Sequence, residues 1–240
     1  MSEHINQYMI ELEVAAAEYA KAVATARQNY QERSRTPSSE KTDKEKQSAD
    51  NPFNAGAFYD SVRHSLFGGT LDQGQVDGMG IIGQACSIAE LDPALEQSAY
   101  VLATVFHETA RTMQPIEEYG GWNTRYAPWF GRGYVQLTWE ENYKKQQDKL
   151  HAIPQVHEYS VPYQVHDDWN NALHPTTSAI ITVGGMRDGD FTGKALNDYI
   201  QPGSIDYINA RRIVNGTDRA EQIAGYAALF EQAFRTGLAS

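Results

Sequence analysis

Hydrophobic residues recur at helical spacing near the start of the chain. Ile5, Met9, Leu12 and Ala16 follow one another at intervals of three or four residues, and alanines fill much of the rest. Because this period places apolar side chains on one face of a helix, we predict a helix over residues 4–33. Such a helix either binds a partner or a second copy of itself, or packs back on the main domain.

A polar stretch separates this predicted helix from the rest of the chain. Residues 34–51 read SRTPSSEKTDKEKQSADN and contain no aromatic side chain and no aliphatic one larger than alanine. Such a segment buries too little apolar surface to offset the entropy lost on ordering. We therefore predict a flexible linker here and a separate domain over residues 52–240.

Beyond residue 51 the pattern changes to helices separated by glycine-rich loops. Residues 94–110 read ALEQSAYVLATVFHETA and are apolar on most sides, which indicates a central, buried helix. Asp92 is suited to the N-cap of this helix and Pro93 to its first position.

Further helices are predicted towards the carboxyl end of the chain, near residues 139–150, 175–187, 204–214 and 218–236. In the last of them Asp218 is a suitable N-cap, and Glu221, three residues on, completes a capping box. Alternating strand patterns are scarce, although we predict a short hairpin within 113–137. The fold class is therefore mainly α-helical.

Three glutamates stand in and after the predicted central helix, within the stretch FHETARTMQPIEEYG. Glu108 lies near the end of the buried helix, where burial favours the protonated form that a general acid must carry. Glu117 and Glu118 follow a helix-breaking Met-Gln-Pro sequence, so we place them in a more solvated loop where one of them stays ionised as a base. Two carboxylates about 6.5–9.5 Å apart are the arrangement of an inverting glycosidase.

A structural role for Glu108 is the alternative, since a lone glutamate in an apolar helix is often paired with an arginine. Arg111 and Arg132 are both available for such an ion pair. A metalloprotease is excluded, because the motif HExxH that begins at His107 would need histidine where Arg111 stands. The other histidines have no ligand spacing, so we expect no metal.

A second motif, FGRGYVQLTWEENY, carries polar side chains at even spacing over residues 130–143. On an extended segment Gln136 and Thr138 point the same way and can face one cleft. The surrounding region is rich in aromatic residues: Tyr119, Trp122, Tyr126, Trp129, Phe130, Tyr134, Trp139 and Tyr143. Flat apolar faces beside hydrogen-bonding groups are typical of sugar-binding sites, although some of these rings must belong to the core.

Composition narrows the range of partners. The formal net charge is -11, and residues 1–50 carry 9 acidic and 7 basic side chains, which leaves 22 and 13 for the rest. This acidic balance argues against nucleic acid as a partner.

Cys86 is the only cysteine, so we expect a buried thiol and no intrachain disulfide. There is no apolar run of 18 residues and no secretory signal pattern, so we expect no membrane span.

The two motifs and the carboxyl-terminal stretch YINARRIVNGTDRAEQIAGYAALFEQAF together resemble family 19 glycoside hydrolases, in the branch of phage endolysins and lysozyme-like proteins. The resemblance covers most of residues 53–236. It implies an α+β lysozyme-like fold with two helical lobes around a substrate cleft. It also implies an inverting hydrolysis of the β-1,4 bond in bacterial peptidoglycan, without a cofactor.

Carried over by position, the resemblance makes Glu108 the general acid and Glu118 the general base, with Glu117 as the alternative base. Thr138 would help to hold the attacking water. The residues implied to bind the glycan strand are Gln136, Asn142, Asn215, Tyr134 and Trp139. The residues implied to orient a catalytic carboxylate, or to contact the catalytic residues without touching the substrate, are Arg132, Arg211, Arg212 and His107.

Other functions stay open at this level. A chitinase would use the same fold and residues, and a lytic transglycosylase would need only one acid. A non-catalytic wall-binding or virion protein would use the N-terminal helix for assembly. For an endolysin we expect a cytoplasmic protein that reaches the cell wall when a holin releases it.

Overall fold

The computed structural model describes residues 53–158 and 160–239 of the chain. The predicted helix over 4–33 and the predicted linker over 34–51 lie outside these residues. The described part is mainly helical, as predicted. Its seven α-helices are α1 Ala55–Ser65, α2 Gln73–Ile88, α3 Ala94–Glu108, α4 Glu140–His151, α5 Pro154–Glu158, α6 Pro175–Asp188 and α7 Ala220–Ala239.

Short strands and 3-10 turns fill the connections between the helices. Two antiparallel pairs form, β1 with β2 and β3 with β4, and their bounds are β1 Ile116–Glu117, β2 Arg132–Gly133, β3 Ile200–Gln201 and β4 Ser204–Ile205. The 3-10 turns cover Gly121–Asn123, Trp169–Leu173, Leu196–Asp198 and Asn209–Ile213. The hairpin predicted within 113–137 is thus confirmed as the pair β1–β2.

Helix α3 is buried on all sides, as its sequence predicts. Every residue from Gln97 to Phe106 is buried, and α1, α2, α6 and α7 contribute to the same hydrophobic core. The Phe106 ring meets Phe230 of α7 edge-on at 6.0 Å between ring centroids. The polar members of the helix find internal partners, since the Thr104 hydroxyl donates to the Tyr100 carbonyl at 3.0 Å.

A second, smaller hydrophobic cluster lies on the other side of α6. It contains Leu137, Tyr143, Leu150 and Ile181, whereas Ala179 and Val183 of the same helix face the larger core. Salt bridges reinforce this junction of α4 with the end of α6, because Lys149 contacts Asp188 at 2.7 Å and Asp190 at 2.5 Å. Helix α6 therefore joins the α3 core to the region of the second sequence motif.

Helix boundaries follow the predictions closely for α4 and α6 and less well elsewhere. The residue before α3 is Pro93, and no side chain caps the helix, so the prediction of Asp92 as N-cap was wrong. Helix α7 begins at Ala220, two residues after Asp218, because Arg219 takes a left-handed conformation with φ of 58°. The helix therefore starts too late for Asp218 to be its N-cap, and the capping box predicted from Asp218 and Glu221 does not match the observed start.

The helix predicted near 204–214 does not form. The chain instead turns at Gly203, where φ is +80°, so that β4 pairs with β3, and only a 3-10 turn follows at Asn209–Ile213. Conversely, α2 has a complete capping box that sequence analysis missed. The Asp72 carboxylate accepts from the Gln75 amide, and the Gln75 side chain accepts from the Asp72 amide.

The start of α2 anchors the segment that connects α3 to β1. Gln75 donates to the carbonyl of Arg111 at 3.1 Å, and Gln114 donates to the carbonyl of Gly74. Gly78 permits the close contact, because a Cβ at this position would lie 1.8 Å from the carbonyl oxygen of Met113. The path between Glu108 and the later glutamates is therefore set by contacts with α2.

Cys86 is a free, buried cysteine, as predicted. No helix within residues 53–239 that the structure describes is long and apolar enough to cross a membrane.

Replacing Gly78 with alanine should destabilise the protein. The added methyl group meets a backbone carbonyl that cannot rotate away, and overpacking of this kind costs about 1–3 kcal/mol or more. The matched control is Gly184→Ala in α6, where no atom lies within 4 Å of the new Cβ. That variant should be unchanged or more stable by up to about 1 kcal/mol. Urea unfolding of both variants distinguishes the two sites, and equal effects would contradict the steric explanation.

Candidate functional site

Glu108, the last residue of α3, forms an ion pair with a distant arginine. Its Oε1 accepts from Nη1 of Arg211 at 2.6 Å, although the two residues are 103 positions apart. The Arg211 side chain is only 3% exposed and that of Glu108 is 21% exposed. The Arg211 Nε donates to the carbonyl of Asp218 at 3.0 Å, which fixes the guanidinium in place. The carboxylate is thus oriented by a buried cation.

The partners considered for Glu108 from sequence were the wrong arginines. Arg111 is exposed, and its guanidinium carbon lies 5.4 Å from the centroid of the Phe106 ring. Arg132 pairs with Glu117 instead. Arg211, which the resemblance implied as one of two candidates to orient a carboxylate, occupies the position. Its neighbour Arg212 is exposed, and its Nε donates to the side-chain oxygen of Asn209 at 3.4 Å.

His107 precedes Glu108 in the chain, and its pKa depends on the charges of this ion pair. Burial lowers the pKa of His107, because the charged imidazolium loses solvation. Arg211 and Arg219 lower this pKa further by repulsion, while Glu108 and Asp218 act in the opposite direction. The net direction is downward, so the neutral imidazole is favoured next to Glu108.

Glu117 is engaged in the hairpin. It stands opposite Arg132 in the register of β1 and β2, and the Arg132 Nε lies 3.2 Å from its Oε2. The Arg132 side chain is fully buried, donates to the Pro128 carbonyl at 2.8 Å and lies 3.8 Å from the centre of the Phe130 ring. Arg132 therefore holds the hairpin together, and Glu117 supplies its counter-charge.

Glu118 has different partners from its neighbour. The Tyr126 hydroxyl donates to Oε1 at 3.0 Å and the Gly131 amide donates to Oε2 at 2.9 Å. No lysine or arginine among the described residues forms an ion pair with this half-buried carboxylate. The same hydrogen bond raises the pKa of Tyr126, since it would place a phenolate beside a carboxylate. Two neutral donors thus hold Glu118 in place and leave its charge uncancelled.

Gly131 is required at this point by close packing. A Cβ here would lie 2.7 Å from Oε1 of Gln136 and 3.2 Å from Oε2 of Glu118. A side chain would therefore push the two polar groups away from the backbone amide. This contact explains the first glycine of the FGRG motif.

The segment after Gly131 is a turn, so the predicted alternation of side chains does not apply. Arg132 and Leu137 exchange backbone hydrogen bonds of 3.1 and 2.8 Å, and Gln136 has φ of 56°. The prediction that Gln136 and Thr138 share a face of an extended segment was therefore wrong. Reversal of the chain instead carries the Gln136 amide to the carbonyl of Ile116 in β1, at 3.0 Å.

Thr138 and Asn142 are held by local bonds to the backbone. The Thr138 hydroxyl donates to the Gln136 carbonyl at 2.8 Å, and the Asn142 amide donates to the Thr138 carbonyl at 2.8 Å. Both side chains are half-buried. These bonds stabilise the entry into α4 and keep Thr138 next to the hairpin that carries Glu118.

Tyr134 is a core residue, contrary to its assignment as a substrate-binding residue. Its side chain is fully buried, and burial raises the pKa of its hydroxyl above the usual range. Among the described residues the hydroxyl has no hydrogen-bond partner, and the backbone amide donates to Ser178 of α6 at 2.8 Å. The ring joins the hairpin to the larger core and is not accessible to a polymer.

Asn215 lies on the exposed loop that follows Arg211. Its side-chain oxygen accepts from the Gly216 amide and its backbone amide donates to the Arg211 carbonyl, at 2.8 and 3.0 Å. The structure thus ties this loop to the arginine that orients Glu108. Within the described residues, no hydrogen bond or ion pair joins Glu108 and Arg211 to Glu118 and its donors Tyr126 and Gly131. Each carboxylate therefore depends on its own partners.

Several aromatic rings within residues 119–139 are exposed. Tyr119 is fully exposed, Trp122 is 60% exposed and Trp139 is 41% exposed, whereas Phe130, Tyr134 and Tyr143 are buried. The rings of Tyr126 and Trp139 are in contact, with 4.7 Å between their centroids. The region therefore combines core aromatics with an aromatic surface, here defined as Tyr119, Trp122, Tyr126 and Trp139.

Two contributors to the site were missed in the sequence. The sequence marks Tyr126 only as one of eight aromatic residues between positions 119 and 143, yet its hydroxyl donates to Glu118. Arg125 was not considered, yet its guanidinium carbon lies 5.1 Å from the centroid of the Trp139 ring. Their position between two aromatic-rich motifs was the only available signal, and it does not specify a contact.

Comparison with known proteins identifies no relative of this chain. No family model, no curated protein and no solved structure matches the chain. The described residues contain no group of three or more His, Cys, Asp or Glu side chains that is able to hold a metal ion.

Replacing Arg211 with methionine should strongly destabilise the protein. Removing one partner of a buried ion pair leaves the other charge uncompensated and costs on the order of 3 kcal/mol. Arg212→Met is the matched control, because the adjacent arginine is exposed, and it should change the free energy of unfolding by less than about 0.5 kcal/mol. Chemical denaturation measures both, and a negligible effect at Arg211 would show that the ion pair does not stabilise the fold.

The stability of the protein should depend on the protonation of His107. Because its folded-state pKa lies below the ordinary value of about 6.5, the unfolded chain binds more protons and stability falls as pH drops below that value. A His107→Gln variant should lose less stability than the wild type between pH 7 and pH 5. Urea titrations at both pH values test this, and an identical loss in the two proteins would contradict it.

Proposed function

We propose that the protein is an endolysin-type muramidase that hydrolyses the β-1,4 glycosidic bond of bacterial peptidoglycan by an inverting acid–base mechanism. The observation that carries the proposal is the contrast between two carboxylates in separate settings. Glu108 is oriented by buried Arg211, and Glu118 is held by two neutral donors beside exposed aromatic rings. An inverting glycosidase needs one carboxyl group that donates a proton and another that accepts one.

Glu108 is assigned as the general acid. Arg211 contacts its Oε1, so a proton on Oε2 leaves that bond in place. Transfer of this proton to the glycosidic oxygen allows the leaving sugar to depart as a neutral alcohol. The buried guanidinium then stabilises the carboxylate that remains, because opposite charges interact strongly where solvent is excluded.

Glu118 is assigned as the general base, in preference to Glu117. Glu117 is already paired with Arg132 across the hairpin, so its carboxylate serves that ion pair. Glu118 has no such cation among the described residues and is oriented by Tyr126 and the Gly131 amide. A base in this position takes a proton from water as the water attacks the anomeric carbon. Thr138 is assigned to help hold that water, as the resemblance to family 19 glycoside hydrolases implies.

The aromatic surface supports a sugar polymer as substrate. Pyranose rings present apolar faces that pack on exposed aromatic side chains, while their hydroxyl and acetamido groups need hydrogen-bonding partners. Trp122 and Trp139 are exposed. Peptidoglycan is preferred to chitin because the motifs resemble the endolysin branch of family 19 glycoside hydrolases.

Substitution of each glutamate by glutamine tests the assignment. Glu108→Gln and Glu118→Gln should each lower kcat on purified peptidoglycan by about 10²–10⁴-fold, the usual contribution of a general acid or base. Glu117→Gln is the matched control and should stay within about tenfold of wild type, since glutamine still accepts from Arg132. Melting temperatures confirm folding. Full activity in the Glu118 variant would exclude it as the base.

Mass spectrometry of the products identifies the reaction. Hydrated muropeptides with a reducing N-acetylmuramic acid end are expected, with chitin oligomers run in parallel. A 1,6-anhydro end would instead show a lytic transglycosylase, and cleavage of chitin alone would show a chitinase. Binding to the wall without cleavage would identify a non-catalytic wall-binding protein.

A further inference from the structure

Arg125 places a positive charge on the aromatic surface. Its guanidinium carbon lies 5.1 Å from the centroid of the Trp139 ring, which is itself 41% exposed. Arg125 is exposed, and within the part of the chain that the structure describes no carboxylate forms an ion pair with it. A ring face therefore orients the cation, while its hydrogen-bond donors stay open to an anion from outside.

This cation is linked to the assigned base through one aromatic contact. The Trp139 ring that lies against Arg125 also contacts the Tyr126 ring, at 4.7 Å between centroids. The hydroxyl of Tyr126 donates to Glu118 at 3.0 Å. Any glycan that packs on Trp139 next to Glu118 therefore brings its substituents towards Arg125.

Charge separates the two polymers that such a site can receive. Both contain β-1,4-linked N-acetylated sugars, but chitin carries no carboxylate. In peptidoglycan every second sugar bears a peptide stem with free carboxylates. A guanidinium recognises a carboxylate with two parallel charge-assisted hydrogen bonds, which an uncharged sugar cannot reproduce. In a protein of formal net charge -11, an exposed arginine without an acidic partner at this position favours an anionic ligand.

We infer that Arg125 binds a carboxylate of the peptide stem and makes the enzyme prefer peptidoglycan to chitin. This inference rests on the proposed function and names the group that recognises its substrate. Arg125 is a specificity-determining residue and takes no part in proton transfer. Stacking on Trp139 holds the guanidinium ready for the stem, so less side-chain entropy is lost when the substrate binds.

The experiment compares Arg125→Met with wild type in the full chain. The substrates are purified sacculi and the same sacculi after carbodiimide and methylamine have converted their free carboxylates to methylamides. Lys194→Met is the matched control, since Lys194 is exposed on the loop after α6 and its loss changes net charge equally. Cleavage rates and co-sedimentation with the sacculi are measured for each protein.

We expect Arg125→Met to lower kcat/KM on intact sacculi by about tenfold, mainly through KM, as the loss of one charge-assisted contact predicts. On amidated sacculi the variant and wild type should be equal, and Lys194→Met should match wild type on both. An equal loss on intact and amidated sacculi would overturn the inference, because Arg125 would then act through Trp139 packing.

The inference and the proposed function fail in different ways. If wild type cleaves both wall preparations at the same rate and Arg125→Met changes neither, hydrolysis stands and the role of Arg125 is disproved. If wild type cleaves neither preparation but co-sediments with intact sacculi, and Arg125→Met does not co-sediment, the recognition of stem carboxylates stands and the hydrolase is disproved.

Discussion

The burial of the ten central residues of helix α3 is the constraint on which the rest of the structure depends. All residues from Gln97 to Phe106 are buried, so helices must cover every side of it. The helix ends at Glu108, where its last turn places a carboxylate at the edge of the core. A charge in such a position needs a partner that is itself held by the protein. Arg211 meets this need, and the 3-10 turn that carries it is fixed in turn by its bond to the Asp218 carbonyl.

Glu108, Glu117 and Glu118 differ in the groups that contact their carboxylates, and these contacts distinguish a structural carboxylate from an available one. Glu117 and Arg132 compensate one another across the hairpin, which makes this pair a structural element. Glu118 is one residue further along the chain, and it contacts a phenol and a backbone amide. Neutral donors orient a carboxylate without cancelling its charge. Adjacent positions in the sequence thus acquire different chemistry, because the side chains of neighbouring residues leave the hairpin in different directions.

The aromatic residues of the same region are divided between two tasks. Phe130 and Tyr143 surround the buried guanidinium of Arg132, which donates from Nη1 to the Tyr143 hydroxyl at 3.2 Å. Trp122 and Trp139 are exposed on the outside of the same loops. The same region therefore contributes both to the interior of the protein and to its surface.

The sequence by itself determined the local elements: the helical periods predicted α4 and α6 nearly to the residue and α3 to within two residues of its end. A short hairpin within 113–137 and a buried thiol at the lone Cys86 were also predicted. Only the tertiary structure decided the partners. It paired Glu108 with Arg211, 103 positions away, and not with Arg111 or Arg132. It buried Tyr134 and bent the chain at Gln136, where φ is 56°. Periodicity reports which face of a segment is apolar, whereas the contact of two side chains far apart in sequence depends on how whole helices pack.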